Sequence, residues 1–450
     1  MIKVKICMMF LCVLIVSLFF TSCGDDKIIH TDTNPPDYET AATKDFAIPI
    51  IENWKSSNGI YFMQERLIEN PNGAWPVNTY DQNGNRVVKR YDFKGVNVRL
   101  LDPSFHNIIL CNKPECNHMN TSCNAFIPAR GKYLYPLSSF WGIGNQIFYI
   151  DNNYTIISMD ENGMNHSEVM QIDKKYEIFS SNIYLYKNKI YIDVSFWPNA
   201  SESMEHEVKL RRGMLELDLS AKSCKELYSF EFANDDSSLN ILGISGGSVF
   251  YWYRSALPAE QARTQQAYDS ANNNLDSIIY SMDLSTGKKT EIMKGKTASI
   301  DSVIMHGSTI YYHSREDGEI RSYQSKTKEA SVVADQLFGY VDLDKFYNFY
   351  DNNLFYTKRH DLTDAYANPP KTPENFYVNL ESKKSKKINY TVKNPSGESQ
   401  PAGEIILETG DYFLIQIDNF DVNRKSAYGK ILKQDYWNGN YSKTTPVDWK

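Results

Sequence analysis

The sequence predicts an all-β chain: a single β-propeller of four-stranded blades, seven in number within a range of six to eight, with a helical insertion near residues 258–275. Three observations lead there. A turn-forming residue or pair followed by an apolar and aromatic triplet recurs seven times along the chain. Each well-formed copy sits inside a longer unit that reads as four strands in meander order. The composition, with 31 Tyr, 22 Phe and 7 Trp among 450 residues, favours strands over helices.

The seven copies are Asn58–Phe62, Asn145–Tyr149, Asn188–Ile192, Gly247–Tyr251, Ser308–Tyr312, Asn352–Tyr356 and Gly410–Leu414. Their triplets begin at 60, 147, 190, 249, 310, 354 and 412, steps of 87, 43, 59, 61, 44 and 58 residues, close to one four-stranded blade per step after allowing for insertions. The long first step has room for a large insertion or a hidden blade, hence the range. A short apolar strand precedes each turn. After the triplet comes a strand such as Tyr280–Leu284, a Ser285-Thr286-Gly287-Lys288 turn and a last short strand. Equivalents of the third strand occur at Gly213–Leu219, Ile320–Tyr323 and Phe376–Leu380. Such a unit cannot bury both faces alone, so units stack radially and the ring closes to hide its edges. A series of two-sheet sandwiches is the runner-up, but sandwiches would not repeat one turn-plus-triplet phrase seven times. Over about residues 55–440 the pattern resembles the propeller repeats of TolB-like proteins and of Gram-positive surface lipoproteins.

Pro258–Ala271 breaks the strand rhythm with strong helix formers behind an initial proline, and falls between the second and third strands of one blade. A helix there would project from a propeller face, as a functional loop or as a neutral decoration.

At the N-terminus, Lys3 and Lys5 precede an apolar run from Ile6 to Phe20, which meets Thr21-Ser22-Cys23-Gly24. This is a positive region, an apolar region and a small-residue exit. The run is short for a membrane span. The segment resembles the bacterial lipoprotein signal, departing from it at Phe20, where that family prefers Leu. The resemblance implies cleavage before Cys23, a diacylglyceryl thioether on its sulfur, and acylation of the new amine with a palmitate-like chain. Two or three chains anchor stably where one is marginal. A plain secretory peptide with a chance cysteine is the alternative. The expected organisation is therefore a lipoprotein signal peptide over 1–22, a lipid-anchored flexible tether over 23–45 and the propeller over 46–450. The expected location is extracytoplasmic, lipid-anchored to the cell membrane.

Four cysteines remain in the folded part: Cys111, Cys116, Cys123 and Cys224. Three of them, with His118, form C-x4-C-x-H-x4-C. Thiolates plus one imidazole are the ligand set of a closed tetrahedral structural zinc site, and the Lys113-Pro114 turn can fold the first two thiolates together. Cys111, Cys116, His118 and Cys123 are thus the candidate metal ligands, and structural zinc is the only cofactor expected. The run Cys111–Ala125 also resembles a cluster in the first blade of surface lipoproteins from anaerobic Gram-positive bacteria. Export favours oxidation, so a local disulfide and unpaired thiols stay open as alternatives. Cys224 falls in a turn a hundred residues later. In each case the role is to pin a long loop.

No G-x-S-x-G, H-E-x-x-H or Walker phrase is present, and no catalytic residue is assigned. Ser314–Gly318 has the wrong spacing for a sialidase box. Asp81–Asn85 resembles the start of a calcium loop but lacks the closing acid, with Asp92 in strand-like context. Asp160, Asp218 and Asp283 occupy equivalent positions before turns, which argues turn chemistry. A net charge of −7 and the absence of a long basic run exclude a nucleic-acid partner; Lys383-Lys384 and Lys386-Lys387 read as a solvated hairpin. The expected partners are the membrane, through the lipid on Cys23, and a glycan, peptide or protein bound by a noncatalytic monomeric propeller. A carbohydrate-active enzyme with loop carboxylates is the alternative.

Overall fold

The computed structural model describes residues 45–447 apart from 51–52, 57, 74, 81–85, 103–105, 112, 129–139, 144, 152–153, 174, 177–182, 197–210, 232–237, 256–273, 335–342, 359–373, 394–398, 402 and 419–426. The signal, Cys23, nearly all of the expected tether, the calcium-like turn and most of the expected helical insertion lie outside the described residues.

Seven antiparallel sheets follow one another along the chain, each with at least four strands. Blade 1 holds β2 (Asn53–Ser56), β3 (Gly59–Glu69), β4 (Trp75–Tyr80), β5 (Arg86–Leu101), β6 (Asn107–Ile109) and β7 (Phe126–Pro128). Blade 2 runs β8 (Phe140–Ile143), β9 (Gln146–Ile150), β10 (Thr155–Asp160), β11 (Ser167–Gln171), and blade 3 runs β12 (Ile183–Tyr186), β13 (Lys189–Phe196), β14 (Arg211–Asp218), β15 (Ser223–Glu231). Blade 4 is β16 (Ser238–Ser245), β17 (Ser248–Arg254), β18 (Asp276–Asp283), β19 (Lys289–Lys296), and blade 5 is β20 (Asp301–His306), β21 (Thr309–Ser314), β22 (Glu319–Gln324), β23 (Ala330–Ala334). Blade 6 comprises β24 (Leu343–Tyr350), β25 (Asn353–Lys358), β26 (Glu374–Asn379) and β27 (Lys384–Lys387). A small hairpin, β28 (Thr391–Lys393) with β29 (Ser399–Pro401), leads to blade 7: β30 (Ile405–Thr409), β31 (Tyr412–Asp418), β32 (Ala427–Leu432) and β33 (Thr445–Val447). Helix α1 (Lys433–Asn438) and a short 3-10 turn at Tyr441–Lys443 join β32 to β33. The sequence reading had no element there.

Every recurring triplet lies in the second strand of a blade: β3, β9, β13, β17, β21, β25 and β31. In blades 3, 4 and 6 the turn before it is tight because both of its residues take left-handed backbone. Lys187 and Asn188 sit at φ 49° and 63°, Gly246 and Gly247 at 56° and 74°, Asp351 and Asn352 at 42° and 61°. Two consecutive positive φ values match the twist of a two-residue hairpin. Among the described residues the long first step holds no eighth blade. It is filled by the extended β3 and β5 and by a composite outer edge: β6, β7 and β4 pair in succession with residues 99–101, 95–97 and 86–91 of β5.

The core lies between blades. Seven apolar clusters map one to one onto the seven seams, from Tyr61, Val98, Ile147 and Met159 between blades 1 and 2 to Leu101, Leu414 and Val447 between blades 7 and 1. Among the described residues no strand is shared across that last seam, and apolar side chains pack across it. Strand β1 (Ile48–Ile50) instead pairs with β12, adding a fifth strand to blade 3. Ahead of it, Ala47 N donates to Ile244 O at 2.7 Å, so the N-terminal chain spans blades 3 and 4.

Polar side chains lock the seams. Asp193 is fully buried and accepts from Arg212 Nε at 2.9 Å, while Arg212 Nη1 reaches Leu239 O on the first strand of blade 4. Trp252 Nε1 donates to Ser277 Oγ at 2.8 Å, and that hydroxyl to Ile300 O, beside blade 5, at 2.7 Å. Removing one partner of a buried ion pair strands the other in low dielectric, so Asp193→Ala is expected to cost about 3–5 kcal/mol. Denaturant unfolding checks this; a loss below about 1 kcal/mol would contradict the assigned role of the pair.

Candidate metal centre

The β6–β7 connection is built from the edge of β5. Val98 N donates to Ala125 O at 2.8 Å and Leu110 N donates to Val98 O at 3.2 Å, so one residue of β5 holds both ends of the loop. Cys111 and Cys123 lie just inside those ends. Between them, Cys116 N closes a turn onto Lys113 O at 3.4 Å, Cys123 N one onto Asn120 O at 3.0 Å, and Lys113 Nζ reaches back to Ser122 O. Glu115 at φ 58° and His118 at φ 55° supply the left-handed residues that let so short a loop reverse.

The structure brings together all four ligands expected from the sequence. The Sγ atoms of Cys111, Cys116 and Cys123 and a ring nitrogen of His118 lie within 4.8 Å of one another. His118 Nδ1 and Cys123 Sγ are 3.3 Å apart. Cys123 is buried in the seam between blades 1 and 2, with Cys111 and Cys116 packed on the same cluster. All four described cysteines are free thiols. Cys224 lies apart: it stands in β15, opposite Leu217, rather than in the turn expected from sequence, and packs on the cluster between blades 2 and 3.

Burial pushes the Cys123 thiol up to about 12, with the neighbouring Cys111 and Cys116 adding to the rise. For Cys111 burial acts in the same direction but is outweighed. The backbone N–H of Lys113, the Cys123 thiol, the N–H of Asn124 and the Cys116 thiol all favour its thiolate, and the net shift is downward. His118 is lowered by burial and by the cationic Arg66 and Arg99, which keeps its imidazole neutral and able to bind a metal. Three thiols and an imidazole with convergent donor atoms can hold a metal ion.

A cleft of about 690 Å³ opens beside this centre, between blades 1 and 2. Asn58, Asn145, Asp160, Glu161 and Asn162 supply polar groups, Leu100 and Ile108 an apolar wall, and Cys111 connects it to the metal loop. Glu161 Oε2 accepts from Asn58 Nδ2 and from Tyr61 OH, the latter at 3.4 Å. Of these polar residues the sequence reading named Asn58, Asn145 and Asp160, each as a turn residue. Turn chemistry does hold at the equivalent positions: Asp218 accepts Ala221 N at 2.9 Å, and Asp283 accepts the Ser285 hydroxyl and Thr286 N, which lower it to about 2. Asp92 is engaged by Asn70 at 2.9 Å and by Lys94 at 3.6 Å. Asp317, in the phrase resembling a sialidase box, accepts Ser314 Oγ at 3.0 Å and pairs with Arg321.

In metal-stripped protein near neutral pH, Cys111 is expected to be alkylated about tenfold or more faster than Cys123, because the reactive species is the thiolate and Cys123 is the more deeply buried. Peptide mapping after a short iodoacetamide pulse reads the ratio, and equal labelling would contradict the assignment.

No protein family matches the sequence, and no curated protein does. Solved structures similar to the chain include oligogalacturonate lyase from Vibrio parahaemolyticus, at 11% identity and TM-score 0.44 over 87% of this chain and 100% of that one. The β-propeller domain of the Trilobed protease from Pyrococcus furiosus is similar at 10% identity and TM-score 0.41, covering 90% of this chain and 98% of that one. TolB from Acinetobacter baumannii is similar at 13% identity and TM-score 0.28, covering 79% and 76%. The strand order described above identifies the chain as a seven-bladed β-propeller protein.

Proposed function

We propose that the chain is an exported lipoprotein, held at a membrane through lipid on Cys23, whose propeller binds a ligand without transforming it. A structural zinc ion at Cys111, Cys116, His118 and Cys123 stiffens its first blade. The observation that carries the binding reading is the cleft between blades 1 and 2, with its amides and carboxylates set against an apolar wall. Its two carboxylates are neighbours on one turn, Glu161 held by Asn58 and Tyr61 and Asp160 by Asn165. A glycoside-cleaving pair stands about 5–10 Å apart across the scissile bond. Carboxylate acceptors beside side-chain amides suit a glycan or a peptide.

Buried carboxylates elsewhere serve the fold. Asp193 pairs with Arg212, Asp301 with Arg315 at 2.5 Å, Asp435 with Lys443 at 2.6 Å and Glu408 with Lys433. Asp301 is pushed up by burial against the pull of Arg315 and Arg254, and His313 is lowered to about 4, so it is neutral at physiological pH.

Zinc fits the donor set because soft thiolates with one imidazole complete a tetrahedron and leave no position for substrate. A disulfide would join two sulfurs and leave the third thiol and the imidazole beside it unused. Backbone N–H groups aimed at the Cys111 sulfur also favour a thiolate over a disulfide sulfur.

Elemental analysis should find about one zinc per chain, lost in Cys116→Ser, and chelation should lower the melting temperature by several degrees. An intact mass two hydrogen atoms lighter, mapped to a bond among Cys111, Cys116 and Cys123, would overturn zinc. Glycan and peptide panels should give a saturable shift without turnover, weakened about tenfold or more by Asn145→Ala. Measurable hydrolysis would replace binding with a carbohydrate-active or peptide-cleaving enzyme.

A further inference from the structure

The composition of the cleft between blades 1 and 2 narrows its occupant. Its described lining holds two carboxylates, Asp160 and Glu161, three side-chain amides and no Lys, Arg or His. The flanking stretches 100–115 and 160–166 add Asp102 and Glu115 against one lysine, Lys113, whose Nζ is turned back onto Ser122 O. The histidines of these stretches are engaged locally. His106 pairs with Asp102 at 3.0 Å, and the ring nitrogens of His166 meet Tyr149 OH at 3.0 Å and Gly163 O at 3.2 Å. The balance at the cleft is therefore acidic, since a carboxylate keeps its charge when it accepts a hydrogen bond.

The two carboxylates are also held in place. Glu161 uses Oε2 for Asn58 and Tyr61, and Asp160 uses Oδ2 for Asn165, so each has a second oxygen to offer. Their turn is closed by Gly163 N onto Asp160 O at 2.8 Å and by Asp160 N onto Met164 O at 2.9 Å. Gly163, at φ 75°, lies so close to blade 1 that a Cβ there would come within 2.3 Å of Leu110 O. The turn is thus seated against the aliphatic wall that Leu100, Ile108, Ile109 and Leu110 supply. Acceptors fixed before binding reduce the ordering cost of association.

Aliphatic surface beside fixed negative charge matches a side chain with an apolar methylene stem and a cationic head. A sugar ring would stack on an exposed aromatic face. Among the described lining residues the only ring is Tyr61, which is 1% exposed and has its hydroxyl on Glu161. We propose that the cleft takes a peptide segment through an arginine or lysine side chain, its stem on Leu100 and Ile108 and its head at Asp160 and Glu161. The amides of Asn145 and Asn162 then serve the peptide backbone, which brings one donor and one acceptor per residue. At about 690 Å³ the cleft has room for a few residues. Arginine fits better than lysine, because its planar fork meets carboxylate oxygens in pairs where lysine is a point charge. This occupant deepens the reading of the cleft as a binding site and rests on it.

The test adds the full chain to short fluorescein-labelled, amidated peptides in which alanine alternates with arginine, lysine, glutamine or glutamate, and reads fluorescence anisotropy. Chitin and chitosan oligomers serve as glycan probes, neutral and cationic. The arginine peptide should bind at least about tenfold more tightly than the glutamine peptide, and salt should shrink that preference. Glu161→Gln and Asp160→Asn should each cut the preference at least about fivefold, with the melting temperature as the check on folding. Ile108→Arg, at a residue 44% exposed, sets a cation in the cleft in cis and should abolish arginine-peptide binding even if a carboxylate variant fails to fold. Equal binding of the arginine and glutamine peptides would overturn the cationic occupant while leaving the cleft a binding site. So would a preference that survives the carboxylate variants and Ile108→Arg. Chitosan binding more tightly than every peptide would replace the peptide with an amino sugar. If no peptide and no glycan binds, the binding reading itself falls.

Discussion

A propeller blade is apolar on both faces, and the structure depends on each face finding a neighbour. Seven seams do this, and their occupants show the division of labour along each second strand. In β17, Val249 and Tyr251 pack toward blade 3, while Phe250 and Trp252 pack toward blade 5. A one-residue slip would exchange the two sets. The large side chains decide the energetics: Trp141, Tyr61, Tyr251 and Tyr356 are almost wholly buried. At about 25 cal/mol per Å² and 150–250 Å² each, every such ring contributes roughly 4–6 kcal/mol of transfer free energy. Among the described residues the last seam, with three buried, is the leanest.

Apolar contact is non-directional, so the seams need polar links to set the angle between blades. Tyr184 OH donates to Ile241 O at 3.1 Å and Tyr350 OH donates to Ile405 O at 3.0 Å, each reaching the first strand of the next blade. Arg212 and Ser277 do the same at their seams. The carbonyls involved would otherwise be buried acceptors facing side chains that cannot donate, a cost of about 1–3 kcal/mol each. Specific register between blades thus comes from a few hydroxyl and guanidinium groups laid over an apolar core.

The second strands were legible because hairpin chemistry and burial act within five residues, as in Asn188-Lys189-Ile190-Tyr191-Ile192. The metal ligands were legible because Cys111, Cys116, His118 and Cys123 fall within one loop. Blade 1 was not, since its fourth-strand position is assembled from β6, β7 and β4, three short pieces with no common phrase. The cleft was hidden for a related reason: Asn58 is about a hundred residues before Asn145 and Glu161 and meets them only when blades 1 and 2 pack. Cys224 was misplaced because a polar run before it reads as turn, although its pairing with Leu217 already belongs to the ladder. Helix α1 gave little signal in six residues; it is fixed by Tyr436, buried against Phe413, and by left-handed Gly439 at its C-terminus.

The composite edge of blade 1 explains why a cysteine cluster belongs there. A continuous fourth strand would cover β5 with its own ladder, whereas β6 and β7 contribute three residues each and are separated by a loop that must return to the same residue, Val98. Closing that loop costs entropy that two three-residue ladders recover poorly. Four donor atoms gathered inside the loop can hold a metal ion where the continuous strand is missing. Leu110 and Cys111 belong both to this loop and to the wall of the cleft. Whatever stiffens the edge therefore also sets the shape of the cleft, so the cysteine–histidine cluster and the cleft are coupled through a single loop.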